Sequence, residues 1–239
     1  MNLPARLFQH LHQRFFRSHP PLEPEALERL ERWRKHTSVD LTGAFDGSRY
    51  VVVDVETTGL DLSSDRLIAI GACAMVNGKV SVADSFEVVL RQDHVSSRDN
   101  ILIHGIAGET QREGVDPVQA LLDFLDFLGQ SPLVAFHVAF DETMIRRAMK
   151  TYLGLNFKHP WLDLAYVLPG LLPEYARRHR ALDDWTGHFG IGNFARHSAL
   201  ADALSTAQLF QCAIPIALLN RARHYKSLQD LEKAQRWIN

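Results

Sequence analysis

The sequence has little cysteine, no long apolar run and no surplus of basic charge. Its two cysteines among 239 residues, Cys73 and Cys212, lie far apart, which excludes the closely spaced pairs of zinc fingers and redox dithiols. No apolar stretch reaches the roughly 18 residues of a membrane-spanning helix, and the N-terminus lacks the apolar segment of a secretory signal. We therefore expect a cytoplasmic protein that makes no contact with a membrane.

The balance of charge, taken as an average, argues against a nucleic-acid-binding protein. Lys and Arg total 26 against 28 Asp and Glu, a formal net charge of −2, whereas nucleic-acid-binding domains usually carry a basic surplus. The charge is unevenly divided, because residues 51–176 carry −8 while residues 1–50 and 177–239 carry +2 and +4. An acidic centre with basic flanks suits a site for cations and phosphates, so the average excludes no such function.

The chain is predicted to divide into a helical extension with a connector (1–48), one main domain (49–217) and a C-terminal helix (218–239) packed on or flanking it. In the extension, apolar residues recur every four positions, as on one face of a helix. They are Leu3, Leu7, Leu11 and Phe15. A second helix begins near Pro24. These helices either pack on the main domain or dock a protein partner, and packing is the simpler interpretation.

From Tyr50 onward the pattern predicts an α/β domain with a mixed sheet. Five apolar or β-branched segments are predicted as strands, with Asn77-Gly78 as a hairpin turn between the second and the third. The strands are Tyr50–Val55, Arg66–Val76, Lys79–Leu90, Pro132–Phe136 and Trp161–Leu164. The predicted helices are Pro117–Gly129, Glu142–Tyr152, Leu182–Phe189, Ser198–Leu219 and Ser227–Trp237. This order is typical of helices layered on a sheet.

Two carboxylates at the end of the first strand are the first candidates for chemistry. Asp54 and Glu56 are two residues apart, so their side chains point to the same face of the strand. Two like charges held so close repel unless a cation neutralises them, and oxygen ligands suit Mg²⁺ or Mn²⁺. Taken alone, the pair is more typical of a solvated strand end than of a metal site.

Three later residues strengthen the interpretation as a metal site. Asp141 opens the helix after the fourth strand, where its alternative role is an N-cap. Asp202 lies between alanines on an apolar helix, a position that requires a partner or a metal ion. His197 is five residues earlier and would not share a helical face with Asp202. We therefore place His197 in the loop before the helix, with Ser198 as the N-cap.

The segments around these residues resemble the three motifs of the DEDDh 3′–5′ exonucleases. They are Val51–Leu60 (VVVDVETTGL), Val134–Asp141 (VAFHVAFD) and Arg196–Ala203 (RHSALADA). That family includes the proofreading epsilon subunit of the bacterial replicative polymerase and related stand-alone exonucleases. The resemblance covers residues 49–213 and implies an RNase H-like fold, a mixed five-stranded sheet flanked by helices.

The resemblance also implies a role for each candidate residue. Asp54, Glu56, Asp141 and Asp202 match the residues that hold two divalent ions, Mg²⁺ or Mn²⁺, and His197 matches the general base. Further positions match the surroundings of the 3′-terminal nucleotide. These implied substrate contacts are Thr57, Thr58, Gly59, Leu60, His104 and Phe140.

One motif departs from the family pattern, and two other features have alternative interpretations. Most relatives have His-Asn where this chain has Phe136-His137, which leaves the positioning of the substrate open. The segment Arg177–Arg180 is either a solvated helix end or a phosphate contact. The segment Gly190–Ala195 matches a dinucleotide-binding pattern but follows a helix instead of a strand, so we interpret it as the loop that delivers His197.

The sequence thus predicts a metal-dependent 3′–5′ exonuclease that hydrolyses single-stranded 3′ ends and releases nucleoside 5′-monophosphates. DNA is preferred over RNA as the expected substrate. The alternatives are an exoribonuclease of the same fold that trims RNA, and a non-catalytic module that recruits partners through its N-terminal helices. The expected partner is a nucleic acid with a free, single-stranded 3′ end. Residues 1–48 would bind a protein partner only under the docking alternative.

Overall fold

A computed structural model of the protein describes residues 22–36, 40–193 and 195–238. The helical stripe predicted from Leu3 to Phe15 lies outside these ranges. In chain order, the elements are α1 (Pro24–Arg34), β1 (Arg49–Thr57), β2 (Leu67–Val76), β3 (Lys79–Val89), α2 (Arg98–His104), α3 (Gly108–Arg112), α4 (Pro117–Leu128), β4 (Leu133–Ala135), α5 (Val138–Leu153), β5 (Trp161–Asp163), α6 (Leu164–Leu171), α7 (Leu182–His188), α8 (Ala199–Leu219) and α9 (Tyr225–Ile238).

The strands form a five-stranded mixed sheet in the order β3-β2-β1-β4-β5. The first three strands pair antiparallel, and the predicted hairpin turn contains Asn77 and Gly78, both with positive φ. The pairs β1–β4 and β4–β5 are parallel. Strand β1 is therefore central and largely buried, as its apolar run on both faces predicts. The prediction of a mixed five-stranded sheet flanked by helices is confirmed.

The side chains of β1 alternate between two hydrophobic cores, one on each face of the sheet. Val51 and Val53 belong to the first core, which α1, α4 and α5 cover. Val52 belongs to the second core, which α6, α7, α8 and α9 cover. Asp54 and Glu56 follow at the same alternation as Val52. Their side chains therefore leave β1 on the face that α8 covers.

Helix α1 packs on the main domain through one face. Ala26, Leu30 and Trp33 are buried in the first core, and the Trp33 indole donates a 2.6 Å hydrogen bond to the Gly129 carbonyl. Leu27 is 47% exposed, because the helical spacing from Ala26 to Leu30 and Trp33 turns it away from the core. This packing accounts for the apolar face of α1. Docking of a protein partner by residues 1–48 stays a prediction.

Helix α8 is the long core helix of the second layer. Among the described residues it is the one helix whose length and hydropathy would also suit a membrane span. However, 56% of that apolar window is buried inside the protein, where α8 packs against β1, β2 and β3. Packing on the sheet therefore accounts for its apolar composition.

Helix α9 closes the fold at the C-terminal end of the described chain. It begins two residues before the predicted Ser227 and packs against α6. The buried Tyr225 hydroxyl donates a 2.7 Å hydrogen bond to the Leu133 carbonyl of β4. The helix is thereby attached to β4, in the parallel half of the sheet.

Three helices were not predicted, and several boundaries differ by one to four residues. Helices α2 and α3 have only seven and five residues, too few to show a helical period, and α6 is apolar almost throughout. Strand β5 ends at Asp163 instead of Leu164, because the Asp163 carboxylate caps α6 by accepting from the Ala165 amide at 3.0 Å. Helix α5 begins at Val138, four residues before the predicted start.

Candidate active site

Three carboxylates converge where β1 ends. Asp54 and Glu56 point to the same face of β1, and Asp202 reaches them from the first turn of α8. The three side chains place carboxylate oxygens within 4.8 Å of one another. Asp202 is 3% exposed, and the other two side chains are half-buried. The structure therefore brings together residues that the sequence separates by nearly 150 positions.

Gly71 allows α8 to approach β1 closely enough for this convergence. It lies in β2, opposite Asp54 in the antiparallel register. A Cβ atom here would lie 2.1 Å from the Leu200 backbone nitrogen and 2.2 Å from the Ala199 carbonyl carbon. Because only a hydrogen atom fits, the start of α8 lies directly on the strand. A glycine inside an apolar strand signals such a close approach and could have been used to predict it.

The substitution Gly71→Ala is expected to displace the start of α8 and with it Asp202. The added methyl meets backbone atoms instead of a flexible side chain, so we expect a loss of about 3 kcal/mol or more in the free energy of unfolding. For a chain of this size that corresponds to a fall of about 6 °C or more in the unfolding temperature. Calorimetry of both proteins measures it.

The matched control is Gly47→Ala, where a Cβ atom meets nothing within 4 Å. This control should unfold at nearly the wild-type temperature. Equal unfolding temperatures for Gly71→Ala and wild type would show that α8 does not depend on this close approach.

Asp141 joins the cluster from the first turn of α5. It is 4% exposed, and the Val55 backbone donates a hydrogen bond to it, which places its carboxylate beside β1. The N-cap of α5 is His137, so the alternative role of Asp141 as a helix cap is not the one observed. Its charge also acts directly on Asp54. All four acids predicted from the three motifs therefore lie at one end of β1.

Burial and neighbouring negative charge disfavour the charged forms of Asp54, Glu56 and Asp141. Burial raises the pKa of Asp54 well above its ordinary value, and the charges of Asp141, Asp202 and Glu56 raise it further. Burial and the charge of Asp202 raise the pKa of Glu56 to about 8. Burial also raises the pKa of Asp141. A site with this much buried negative charge gains stability from bound cations.

The donor set fits hard divalent cations. It offers carboxylate oxygens only, the ligands that Mg²⁺ and Mn²⁺ prefer. No second group of three or more metal-ligating side chains occurs in residues 22–36, 40–193 and 195–238. The cluster at the end of β1 is therefore the candidate metal centre of the described chain.

His197 lies on the loop before α8, as predicted from its spacing to Asp202. Its backbone has φ of 62°, and its amide donates a 3.0 Å hydrogen bond to Asp202 Oδ2. Its side chain is exposed, and Ser198 is the N-cap of α8, although its hydroxyl forms no capping hydrogen bond. The bond to Asp202 ties the histidine backbone to a carboxylate of the cluster.

Two further residues of this loop bind Asp202 and were not predicted. The Asn193 amide and the Arg196 guanidinium both donate to its carboxylate. Arg196 also pairs with Asp183 at 2.7 Å. Its positive charge opposes the rise in the pKa of Glu56. Arg196 therefore places a positive charge of the chain itself beside the cluster. Asn193, which belongs to the predicted loop segment, contacts the cluster through Asp202.

Asp163 supports the start of α5 and was also missed. It is 1% exposed and accepts from the backbone amides of His137 and Val138 at 2.9 and 3.2 Å. His137 has φ of 66°, a conformation that asparagine and histidine tolerate better than most residues. Arg236 of α9 donates to Asp163 at 2.9 Å and balances its charge. Asp163 thereby holds the turn from which Asp141 projects.

The turn after β1 contains four of the predicted substrate contacts. The Thr57 hydroxyl donates to the Gly59 carbonyl at 2.6 Å, and the Thr58 hydroxyl donates to Asp65 at 2.7 Å. Leu60, at the tip of the turn, is 86% exposed. The turn is therefore held by its own hydrogen bonds and presents an exposed apolar side chain four residues after Glu56. Contact with a substrate stays a prediction for all four residues.

The other two predicted substrate contacts differ in exposure. Phe140 is half-buried next to Asp141 and packs against the first core. His104 is 6% exposed, and its Nδ1 atom accepts from the Ile106 amide at 3.0 Å. Burial lowers the pKa of His104, so the ring is neutral at physiological pH. This histidine fixes the turn after α2, and its contact with substrate stays a prediction.

Fold and site together define a class of protein: an RNase H-like domain in which carboxylates from three segments meet at the end of the central strand. Comparison with known proteins places the chain within this class. The exonuclease family model RNase_T matches residues 51–210. The chain therefore belongs to this exonuclease family, and the resemblance to 3′–5′ exonucleases of the DEDD type is confirmed.

Relatives of known sequence include proteins of bacterial replication. The chain is 34% identical to DNA polymerase III PolC-type of Thermotoga petrophila over 167 residues, which cover 70% of this chain and 12% of that protein. It is 30% identical to a DNA polymerase III subunit epsilon-like protein of Rhodobacter capsulatus over 173 residues, which cover 71% of this chain and 24% of that one. The chain thus spans only a small part of these relatives.

Solved structures share the fold at lower identity. Exonuclease I of E. coli in complex with a dT13 oligonucleotide superposes with a TM-score of 0.61 at 17% identity, covering 73% of this chain and 42% of that one. Cell-death related nuclease 4 gives a TM-score of 0.61 at 15% identity, covering 72% and 65%. These similarities confirm the RNase H-like fold. Exonucleases of this family use divalent metals.

Proposed function

We propose that this protein is a metal-dependent 3′–5′ exonuclease that shortens single-stranded 3′ ends and releases nucleoside 5′-monophosphates. The carboxylate cluster at the end of β1, with His197 on the adjoining loop, is the observation that carries the proposal. Membership of the exonuclease family supports it. DNA is the proposed substrate because relatives are named DNA polymerase III and a fold neighbour is described with dT13 bound.

Asp54, Glu56, Asp141 and Asp202 are proposed to hold two divalent ions, Mg²⁺ or Mn²⁺. Bound there, such ions would activate a water molecule and neutralise the negative charge that develops on the phosphate. Four carboxylates formally balance the charge of two divalent ions. Binding would therefore relieve the repulsion that raises the pKa values within the cluster.

His197 is proposed to act as the general base. Its amide is bonded to Asp202 while its side chain is exposed, so the ring is free to meet a substrate beside the cluster. A ring nitrogen takes the proton of the attacking water as the bond between phosphorus and the 3′-oxygen of the preceding nucleotide breaks. That oxygen gains a proton and becomes the new 3′-hydroxyl.

The turn after β1 is proposed to bind the 3′-terminal nucleotide. Leu60 offers an exposed apolar surface for the base, and the half-buried Phe140 lies beside Asp141. Thr57 and Thr58 are already engaged in hydrogen bonds within the turn. They would therefore act mainly by fixing the backbone that faces the nucleotide.

A direct assay tests the proposed function. The purified protein is expected to shorten a 5′-labelled single-stranded oligodeoxynucleotide stepwise from its 3′ end with Mg²⁺ or Mn²⁺, and to stop when a chelator is added. A matched oligonucleotide with a blocked 3′ end is the control and should stay intact. Gel electrophoresis resolves the ladder of products, and chromatography identifies the released nucleoside 5′-monophosphates.

The same assay separates the alternatives. Faster cleavage of a matched RNA than of the DNA would replace the proposal by an exoribonuclease. Tight binding of either nucleic acid without any cleavage would instead favour the non-catalytic module.

A further inference from the structure

A basic cavity of about 700 Å³ lies beside the start of α5. Among the described residues, its lining contains no carboxylate, and its walls combine basic, aromatic and proline side chains. The lining includes His137, Tyr166, Arg177, His179, Arg180 and Gln235. Its volume is within the range of about 300 to 1,000 Å³ that small-molecule sites occupy.

The cavity adjoins the carboxylate cluster through one short segment. His137, which lines the cavity, directly precedes α5, and Asp141 lies in the first turn of that helix. The His137 side chain is exposed while its amide is held by Asp163. A nucleic-acid strand whose 3′ end lies at the carboxylates would therefore have this cavity next to it.

The arginines of the cavity are available to bind a ligand. Arg177 and Arg180 are both exposed. In the described part of the chain neither takes part in an ion pair, whereas Arg196 and Arg236 both do. A guanidinium without a carboxylate partner suits the phosphate groups of a nucleic acid.

The aromatic part of the cavity wall suits a sugar or base. Tyr166 lines the cavity, and the Arg236 guanidinium lies 4.0 Å from the centre of its ring. Because Arg236 is also bound to the buried Asp163, the ring is held in place by a fixed neighbour. Fixed aromatic rings with nearby cations are typical of surfaces that bind single strands without reading their sequence.

We propose that this cavity binds the phosphodiester backbone of the substrate strand on the 5′ side of the scissile bond. The carboxylate cluster holds the 3′ end, and Arg177 and Arg180 hold upstream phosphates. The proposal rests on the proposed exonuclease function and adds a second contact region to it. It also gives a role to His137, where the chain departs from the family pattern, since this side chain lines the cavity.

The test compares short and long substrates in a double variant, Arg177→Gln with Arg180→Gln. For each protein, kcat/KM is measured on a dinucleoside monophosphate, which has no phosphate upstream of the scissile one, and on an oligothymidylate of about twelve nucleotides. The ratio of kcat/KM on the long substrate to kcat/KM on the short substrate is expected to fall about fivefold or more in the double variant. The slope of log binding constant against log salt should become shallower by about 1.4, since two phosphate contacts are removed.

A second double variant, Arg221→Gln with Arg223→Gln, is the matched control. It removes the same charge beside the bridge between Ala44 and His224, at the opposite end of β1 from the carboxylates. It should keep the wild-type ratio and leave the salt slope nearly unchanged. Equal behaviour of the two double variants would overturn the proposal, because net charge alone would then explain the effect.

Two other outcomes would also overturn it. An equal loss on the dinucleoside monophosphate and the longer strand would place the arginines at the terminal nucleotide. If thymidine monophosphate inhibits the wild type but not the double variant at Arg177 and Arg180, the cavity is a site for free nucleotides instead. If wild type cleaves neither substrate, the exonuclease function fails. Fluorescence anisotropy of a labelled oligothymidylate still tests the cavity, because the same change in the salt dependence of binding is expected.

Discussion

Replacing Asp54 by asparagine is expected to abolish cleavage while making the metal-free protein more stable. The carboxamide cannot neutralise a divalent ion, so we expect a loss of at least about a thousandfold in kcat/KM. In chelator, the unfolding temperature should rise by about 3 °C, because one buried like charge leaves a cluster that includes Glu56, Asp141 and Asp202. Activity assays and calorimetry measure the two effects on the same preparation.

The prediction is specific because the same substitution lowers activity and raises stability in chelator. Mg²⁺ should raise the unfolding temperature of wild type, since it binds the folded state only, and should raise that of Asp54→Asn much less. Asp46→Asn is the control, because Asp46 is exposed in the short 3₁₀ turn before β1. A variant that retains full activity, or that loses stability in chelator, would contradict a metal site at this carboxylate.

Removing the His197 side chain is expected to slow the chemical step without weakening metal binding. His197→Asn is the preferred variant, because asparagine tolerates the φ of 62° at this position. Its amide can still bond to Asp202, so the Mg²⁺-dependent rise in unfolding temperature should persist. We expect kcat to fall by a factor of about 10² to 10⁴, the usual contribution of a general base. Single-turnover kinetics measures the chemical step.

Chemical rescue distinguishes a base from a structural residue. Free imidazole should restore part of the rate to His197→Ala, because the exposed position lets the small molecule enter. It should restore nothing to Asp54→Asn. His94→Ala, at another exposed histidine, is the control and should cleave at the wild-type rate. A His197 variant with undiminished single-turnover rate would exclude this residue as the base.

The sheet was predictable because its signals are local. The apolar run Tyr50–Val55 and the turn at Asn77-Gly78 each depend on a few adjacent residues, and both lie in the structure as predicted. The fourth and fifth strands were also found, although the structure shortens each to three residues. Short helices such as α2 and α3 have no such signal, because five to seven residues cannot show a helical period.

The acids of the site were predictable for two different reasons. Asp54 and Glu56 follow from the period of a strand, which places alternate side chains on one face. Asp141, His197 and Asp202 followed from motifs that resemble a family, since nothing in the local pattern of their own segments brings them to β1. The structure places all four acids at one end of that strand.

The supporting residues could not be identified in this way. Asp163 is an ordinary residue at a strand end until Arg236, 73 positions later, donates to it. Gly71 signals a close approach to its strand, but only the structure shows that α8, beginning 128 positions later, is the element that lies on it. Arg196 was included in a motif, yet its contact with Asp202 depends on the path of the loop.

By itself, the sequence determined which chemical groups this protein contains and how side chains a few residues apart are oriented. Both follow from the sequence because the strand and helix periods relate residues that are close along the chain. Only the tertiary structure decided that three distant segments meet at the end of β1, and that α9, outside the family match, supports the site through Arg236 and Asp163. The physical reason is that such contacts form only when two cores pack on both faces of one sheet. Where β1 emerges between those cores, Asp54 and Glu56 meet Asp202 of α8 and Asp141 of α5.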